Sequence, residues 1–401
     1  MKGAPHILIL PMYYPEKDSS PHRGYMFYEQ ATQIARSGCR TGLAFTEQRP
    51  LNRLSWRRFC KESHFQISTE KNDLFTIHRM HAWNPKLSTK AGGLIWCLLT
   101  QQLVKNYIRR YGKPDLIHAH FGQWAGYAAA RIKRIYGIDY IVTEHASSIN
   151  GASVSESQAA ILRKAYSGAS AVLCVGSMLA GNLKKYCADP SKIAVLPNFV
   201  DTSTFRPGTH VARKEQAFRF ISVGNLTPRK GFADLIGAFA QTFADIPQVT
   251  LEIAGDGAEK ERLQSLIHTY GMSDRITLMG NLSREALSEK LRECDAFALA
   301  SYGETFGIVF IEAMATGMPA IGTVCGGPED IITPESGFLI EPGDTAALSQ
   351  KLRELYDTYE RFDRKEISRY IAEHFDFSLA GPALRDIYLR IIREKEERQR
   401  M

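Results

Sequence analysis

Apolar runs of four to six residues recur along the chain, and most are followed by a longer stretch with helical spacing. Residues 6–10, 41–45, 116–120, 140–143, 171–175 and 192–197 predict strands in the first half, and residues 218–223, 250–254, 276–279, 296–300 and 320–322 predict a second series. Runs such as Ile7-Leu8-Ile9-Leu10 are continuous rather than alternating, as in strands covered on both faces. Strands that alternate with helices build parallel sheets, because each parallel return needs a crossover. Two such series predict an α/β protein of two doubly wound parallel sheets. Pro197, Asp201 and Pro207 punctuate a hinge at residues 198–208, so the first domain is expected over residues 1–200 and the second over residues 205–375. Residues 360–401 read as largely helical and highly charged, and there is no internal repeat or low-complexity segment.

A chain of 401 residues suits two cores better than one. Its charge is divided: residues 1–200 carry 26 Lys and Arg against 12 Asp and Glu, a net +14, whereas residues 201–401 carry 24 against 31, a net −7. The two halves are therefore expected to meet different partners. Arg49, Arg53, Arg57, Arg58 and Lys61 lie around Leu51, Leu54, Trp56 and Phe59, and Lys105, Arg109, Arg110 and Lys113 follow an apolar segment. Such a mixture is either a solvated helix face or a surface for anionic lipid. The seven cysteines form no C-x-x-C pair, which fits a reducing cytoplasm and argues against a structural zinc. The first apolar run is too short for a signal peptide, and residues 94–104, broken by Thr100, Gln101 and Gln102, fall well under the ~20 residues of a membrane span. The expected location is cytoplasmic, with peripheral contact at the inner membrane face left open.

The richest chemistry lies at residues 301–319, where Glu304 and Glu312 are separated by seven residues. An apolar strand precedes this run, and a helix pattern closed by Gly317 and Pro319 follows Phe306. Glu304 then falls in a loop and Glu312 inside the helix. The amides of Thr305, Phe306 and Gly307 would stand at the positive end of that helix, where a phosphate oxygen is favoured. Carboxylates accept from sugar hydroxyls, so the run suits a nucleotide-sugar.

In doubly wound sheets ligands sit at the carboxyl ends of strands, which singles out four further places. Residues 11–24 form a Pro- and Tyr-containing loop that includes Tyr14 and ends on Gly24, either a substrate loop or an ordinary surface loop. His118 and His120 share one face of their strand, as a hydrogen-bonded pair at the ligand end or as two metal ligands. Glu144 and His145 end the next strand, as an ion pair or as part of a site. Residues 224–231, Gly-Asn-Leu-Thr-Pro-Arg-Lys-Gly, have the position of a phosphate loop without Walker spacing, and a solvated basic turn is the other reading.

Taken together, the Glu304 to Glu312 spacing, the loop ending Arg229-Lys230-Gly231, the segment Pro197-Asn198-Phe199-Val200-Asp201, Gly255-Asp256-Gly257 and Gly326-Gly327-Pro328-Glu329 resemble the retaining glycosyltransferases of family 4, with two Rossmann-like domains in the GT-B arrangement. The match is strongest from Pro197 to Gly343. The resemblance implies a cleft between the domains, a first domain that binds acceptor, a second that binds donor, and a last helix, residues 376–401, that returns to the first domain. It implies that Lys230 and Arg229 hold the diphosphate, Glu312 the ribose hydroxyls and Glu304 the donor sugar. The amides of Thr305, Phe306 and Gly307 would bind sugar and phosphate oxygens, and Gly280 and Leu282 would meet the base. His120 would face the donor sugar and Gly24 would take part in donor binding, while Tyr14, Glu144 and His145 would shape the acceptor side of the first domain.

Related sequences carry Arg after the glycine corresponding to Gly224; here that residue is Asn225, which puts more of the diphosphate on Lys230 and Arg229. The implied reaction moves a hexose with retention from a UDP-sugar or another nucleotide-sugar to a glycan or lipid-linked acceptor, in polysaccharide or glycolipid biosynthesis. It needs no cofactor, no metal and no nucleic acid. A nucleotide-sugar epimerase, a phosphorylase-like enzyme and a silent nucleotide-sugar-binding protein are the other readings.

Overall fold

The computed structural model describes residues 3–14, 24–50, 64–84, 89–151, 154–208 and 217–400, together with Trp56, Cys60 and Lys86. The expectations placed on residues 15–23, on Leu51, Arg53 and Leu54, on Arg57, Arg58 and Phe59, and on Lys61 lie outside the described residues. The chain divides into two compact units. One comprises residues 1–175, 180–196 and 377–401; the other comprises residues 176–179 and 197–376.

The first unit is built on β1 (His6–Leu10), β2 (Arg40–Pro50), β3 (Ile67–Lys71), β4 (Phe75–Asn84), β5 (Leu116–His120), β6 (Asp139–Glu144), β7 (Ala171–Cys174) and β8 (Ile193–Val195), in the order β3-β4-β2-β1-β5-β6-β7-β8. All its pairs are parallel except β3 with β4, an antiparallel pair at the edge. Sequence reasoning missed both of these strands. The reason is visible in β4, whose buried positions include His78 and Arg79 as well as Ile77 and Met80. Each polar side chain is paired, His78 with Asn106 and Thr69, and Arg79 with Glu70, so the strand carries no plain apolar run.

The C-terminal helix Phe377–Arg400 belongs to this unit. It buries Leu384, Tyr388 and Ile391 in the same core as Ile7, Ile9, Leu43 and Ile141. It meets the helix Tyr25–Arg36 at Gly381, where a Cβ atom would stand 2.3 Å from the carbonyl oxygen of Gln33.

The second unit holds β9 (Phe218–Val223), β10 (Val249–Ala254), β11 (Ile276–Gly280), β12 (Ala296–Ala298), β13 (Ala320–Thr323) and β14 (Gly337–Ile340), all parallel, in the order β11-β10-β9-β12-β13-β14. An aromatic cluster fills its core, with the rings of Phe218 and Phe220 and those of Phe239 and Phe243 each 5.1 Å apart. β14 is a further strand that the sequence pattern did not reveal.

Each order reverses once. In the first sheet the chain winds away from β1 in one direction and from β5 in the other; in the second the same holds for β9 and β12. Loops leaving two adjacent strands in opposite directions part and leave a crevice at the carboxyl ends. These two places carry the candidate chemistry.

Candidate functional site

In the second unit the crevice lies between the loop after β9, residues 224–231, and the loop after β12, residues 301–307. The two are laced together. The Tyr302 amide donates to the Arg229 carbonyl at 2.8 Å, and Arg229 Nη1 donates to the Gly303 carbonyl. Gly231 has φ +64°, and a Cβ atom there would stand 1.9 Å from the Ala300 carbonyl oxygen, so only glycine lets the loops approach this closely. Pro228–Lys230 form a single 3₁₀ turn that turns Lys230 inward. Its Nζ lies 2.5 Å from Glu304 Oε1, which also accepts from Ser301 Oγ at 2.8 Å. Both partners are largely buried, so the ammonium is held against the carboxylate rather than dispersed in water.

Gly307, at φ +90°, caps the helix Ile308–Ala315. The amides of Thr305, Phe306 and Gly307 lie just before it, and the Phe306 side chain is buried against Phe375. One turn in, Glu312 is 8 % exposed. Burial pushes its carboxyl up to about 7, opposed by the Arg284 guanidinium 3.4 Å away. Gly280 ends β11 at φ +72° with Leu282 shortly after it, and Asn225 lies in the turn where its carbonyl accepts from the Thr227 amide at 2.8 Å. This unit therefore gathers a fixed cation, two carboxylates and a helix start around one crevice. The arrangement can hold a charged phosphate and hydroxyl groups together.

In the first unit the crevice lies between the loops after β1 and β5. Gly24, at φ 91°, caps the helix Tyr25–Arg36. His118 and His120 share a face, with ring centroids 4.4 Å apart. Both nitrogens of His118 are taken, Nδ1 by the Tyr388 hydroxyl and Nε2 by Thr143 Oγ1, each at 2.7 Å. His118 is thus hydrogen-bonded to these two residues rather than to His120, and neither of its nitrogens is open in this arrangement. His120 Nδ1 meets His145 Nε2 at 3.1 Å. His120 Nε2 and His145 Nδ1 are buried with no hydrogen-bond partner among the described residues. Burial holds all three imidazoles neutral, with His118 and His145 pushed down to about 3 and His120 held well below its ordinary value by burial and by its histidine neighbours.

Two expectations for the substrate side change. Glu144 is not an open ligand, because its carboxylate accepts from the amides of Gly122, His145 and Ala146 and from the Tyr166 hydroxyl, at 2.6–2.9 Å. Four donors fill its oxygens, so it organises the loop that carries His145. Tyr14 is also turned inward, packed on Phe45 under the Arg79 guanidinium. Its neighbour Tyr13 is the exposed one, set edge-on to Phe121 at 5.6 Å. Adjacent residues of an extended segment face opposite ways, so a one-residue step exchanges core and site. Tyr13, Phe121, Gln123, His145 and Ser147 border a cavity of about 310 Å³.

Comparison with known proteins bears on both units. A family profile described as Glycosyltransferase Family 4 matches residues 26–204, and one described as Glycosyl transferases group 1 matches residues 210–373. The chain is 29 % identical to a putative colanic acid biosynthesis glycosyltransferase of Salmonella typhimurium, over 71 % of this chain and 72 % of the relative. It is 26 % identical to a glycogen synthase of Mycobacterium tuberculosis, over 72 % of each. Among solved structures, sucrose-phosphate synthase from Thermosynechococcus elongatus has a TM-score of 0.79 at 20 % identity, over 97 % of this chain and 100 % of that one. Anabaena Alr3699/HepE, solved with UDP, has a TM-score of 0.72 at 18 % identity, over 95 % and 99 %.

Proposed function

Because the chain belongs to the glycosyltransferases of family 4 and has their GT-B fold, we propose that it moves a hexose, with retention, from a nucleotide-diphosphate sugar to a glycan or lipid-linked acceptor in polysaccharide or glycolipid biosynthesis. The observation that carries this reading is the Lys230–Glu304 pair at the crevice of the second sheet, with Glu312 on the following helix. Lys230 neutralises the diphosphate as it leaves, with Arg229 beside it and the amides of Thr305, Phe306 and Gly307 at the helix start. Glu304 accepts from sugar hydroxyls and Glu312 from those of the ribose.

In retention by front-face attack the bond from the anomeric carbon to the phosphate oxygen breaks as the acceptor oxygen bonds on the same face. The acceptor's proton passes to the departing phosphate, so no separate base is required. His120 and Tyr13 serve the substrate side of the first unit. UDP-sugars are the first donors to try, since several of the similar structures were solved with UDP or UDP-glucose.

We place the working enzyme at an anionic membrane surface. Among the described residues no helix is long and apolar enough to cross a membrane. The helix Lys90–Tyr111 leaves Leu94 and Leu98 exposed one turn apart, with Lys105 and Arg109 further along. Turnover of labelled UDP-, GDP- and ADP-sugars tests the catalytic reading. Release of nucleoside diphosphate with transfer of sugar supports it; a 2-epimer as product refutes it.

A further inference from the structure

Glu312 is a buried carboxylate that meets a guanidinium from another helix, and that guanidinium is in turn stacked on a ring from a third segment. Arg284 is the first residue of the helix Arg284–Glu293, which Ser283 caps through the Ala286 amide at 3.1 Å, and it follows Leu282 by two residues. Its Nη1 lies 3.4 Å from Glu312 Oε1, and its guanidinium stacks 4.8 Å from the centre of the Phe205 ring. Phe205 is fully buried at the end of a turn that Asp201 fixes, through the Ser203 amide at 3.0 Å and the Ser203 hydroxyl at 2.5 Å. The guanidinium therefore has an aromatic face and a carboxylate as its neighbours, and its direction is set by both.

We propose that Arg284 is a positioning residue of the donor site, fastening the Glu312 carboxylate to the start of the helix behind Leu282 and keeping it charged for the ribose hydroxyls. This rests on reading Glu312 as the acceptor of those hydroxyls. Arg284 itself acts through Glu312.

The chemistry gives the arrangement a signature. An ionised carboxylate accepts from both ribose hydroxyls, whereas a protonated one must donate its own hydrogen. Burial favours the protonated form, and Arg284 is the charge that opposes it. The other charged groups on packed elements are engaged elsewhere. Arg364, on the helix Arg364–Phe375, reaches the Thr316 carbonyl and the Tyr359 hydroxyl, and Lys230 is held by Glu304. Without Arg284 the carboxyl would stay protonated to higher pH. Nucleotide binding should then weaken at neutral pH and return in alkali, which mere loss of packing would not do.

Calorimetric titration with UDP, GDP and ADP over roughly pH 6 to 9.5 tests this in wild type, Arg284→Met, Arg284→Lys and Glu312→Gln. Titration of the diphosphate is common to all four proteins and cancels. Arg284→Met should move the midpoint of the pH dependence up by about one unit and weaken binding by about threefold near pH 7.5, approaching tenfold near pH 6, with recovery at the alkaline end. Arg284→Lys, which keeps the charge, should fall between, and it carries the test if Arg284→Met does not fold. Glu312→Gln should lose the Glu312 contribution to the profile. A wild-type midpoint in both Arg284 variants, or weakening by the same factor at every pH, overturns the proposal. Wild-type affinity and pH dependence in Glu312→Gln would instead refute the reading of Glu312, and the proposal with it.

Discussion

Lys230 Nζ lies 2.5 Å from Glu304 Oε1, joining the loops that leave the two strands flanking the switch point of the second sheet. The carboxylate neutralises the ammonium within the loop pair, so the two residues should respond to substitution in different ways. Lys230→Ala should lower kcat/KM by about 10²-fold or more, because the leaving diphosphate loses its fixed charge. Glu304→Gln keeps the shape of the loop but frees the ammonium. It should bind nucleoside diphosphate at least as tightly as wild type while turning over more slowly. Steady-state kinetics with calorimetry on both variants checks this, and unchanged turnover in Lys230→Ala would refute its role.

Three neutral imidazoles give the first unit an acid sensitivity. His118, His120 and His145 are held neutral in the fold, whereas in the unfolded chain each takes a proton near 6.5. The unfolded state therefore binds more protons below that pH, and stability falls as pH falls from about 6.5 towards 4. Each such histidine contributes at most about 1.4 kcal/mol per pH unit. Replacing His118 by Asn should flatten the decline between about pH 6.5 and 5 by close to one proton, measured as the pH dependence of urea unfolding. An unchanged slope would mean that His118 titrates normally in the fold. His120→Ala should in addition reduce turnover, since His120 Nε2, like His145 Nδ1, is a buried nitrogen with no hydrogen-bond partner among the described residues and is proposed to meet the substrate.

Much of this was legible in the chain, and the exceptions share a cause. The apolar runs located the strands that bear the two switch points, and the spacing of Glu304 and Glu312 placed one in a loop and one in a helix, as found. Contacts between loops were not legible. Nothing local says that Glu304 meets Lys230, 74 residues away, or that Glu144 is consumed by the amides of Gly122, His145 and Ala146. Tyr14 and Tyr13 differ only in which face they take, and a reading without the fold has no register to decide between them. The edge strands β3 and β4 hide for another reason: their polar residues are satisfied by each other rather than by water.

Two glycines with positive φ should behave differently. At Gly231 an added methyl group would meet the Ala300 carbonyl oxygen at 1.9 Å, whereas at Gly280, φ +72°, nothing lies within 4 Å. Gly280→Ala should cost about 1–2 kcal/mol, the strain of the left-handed conformation alone. Gly231→Ala adds a backbone collision that only separation of the two loops can relieve. It should lower the melting temperature further and reduce nucleotide affinity, because the same loop carries Arg229 and Lys230. Equal effects in thermal melts of the two variants would show that the loops are not held together at Gly231.

The exposed leucines at 94 and 98 bear on where the enzyme works. They lie one turn apart on the helix Lys90–Tyr111, with Lys105 and Arg109 exposed further along it, and the first 200 residues carry a net +14. Apolar side chains that enter the headgroup region gain free energy by burial, and basic residues gain about 1 kcal/mol each near an anionic surface. Sedimentation with vesicles should therefore require anionic lipid and weaken as salt rises. Leu98→Glu should weaken binding by removing burial and adding repulsion, and Lys105→Glu with Arg109→Glu should abolish the salt dependence. If the protein binds neutral vesicles equally well, or if none of these substitutions changes sedimentation, this helix is a solvated face and the acceptor is met in solution.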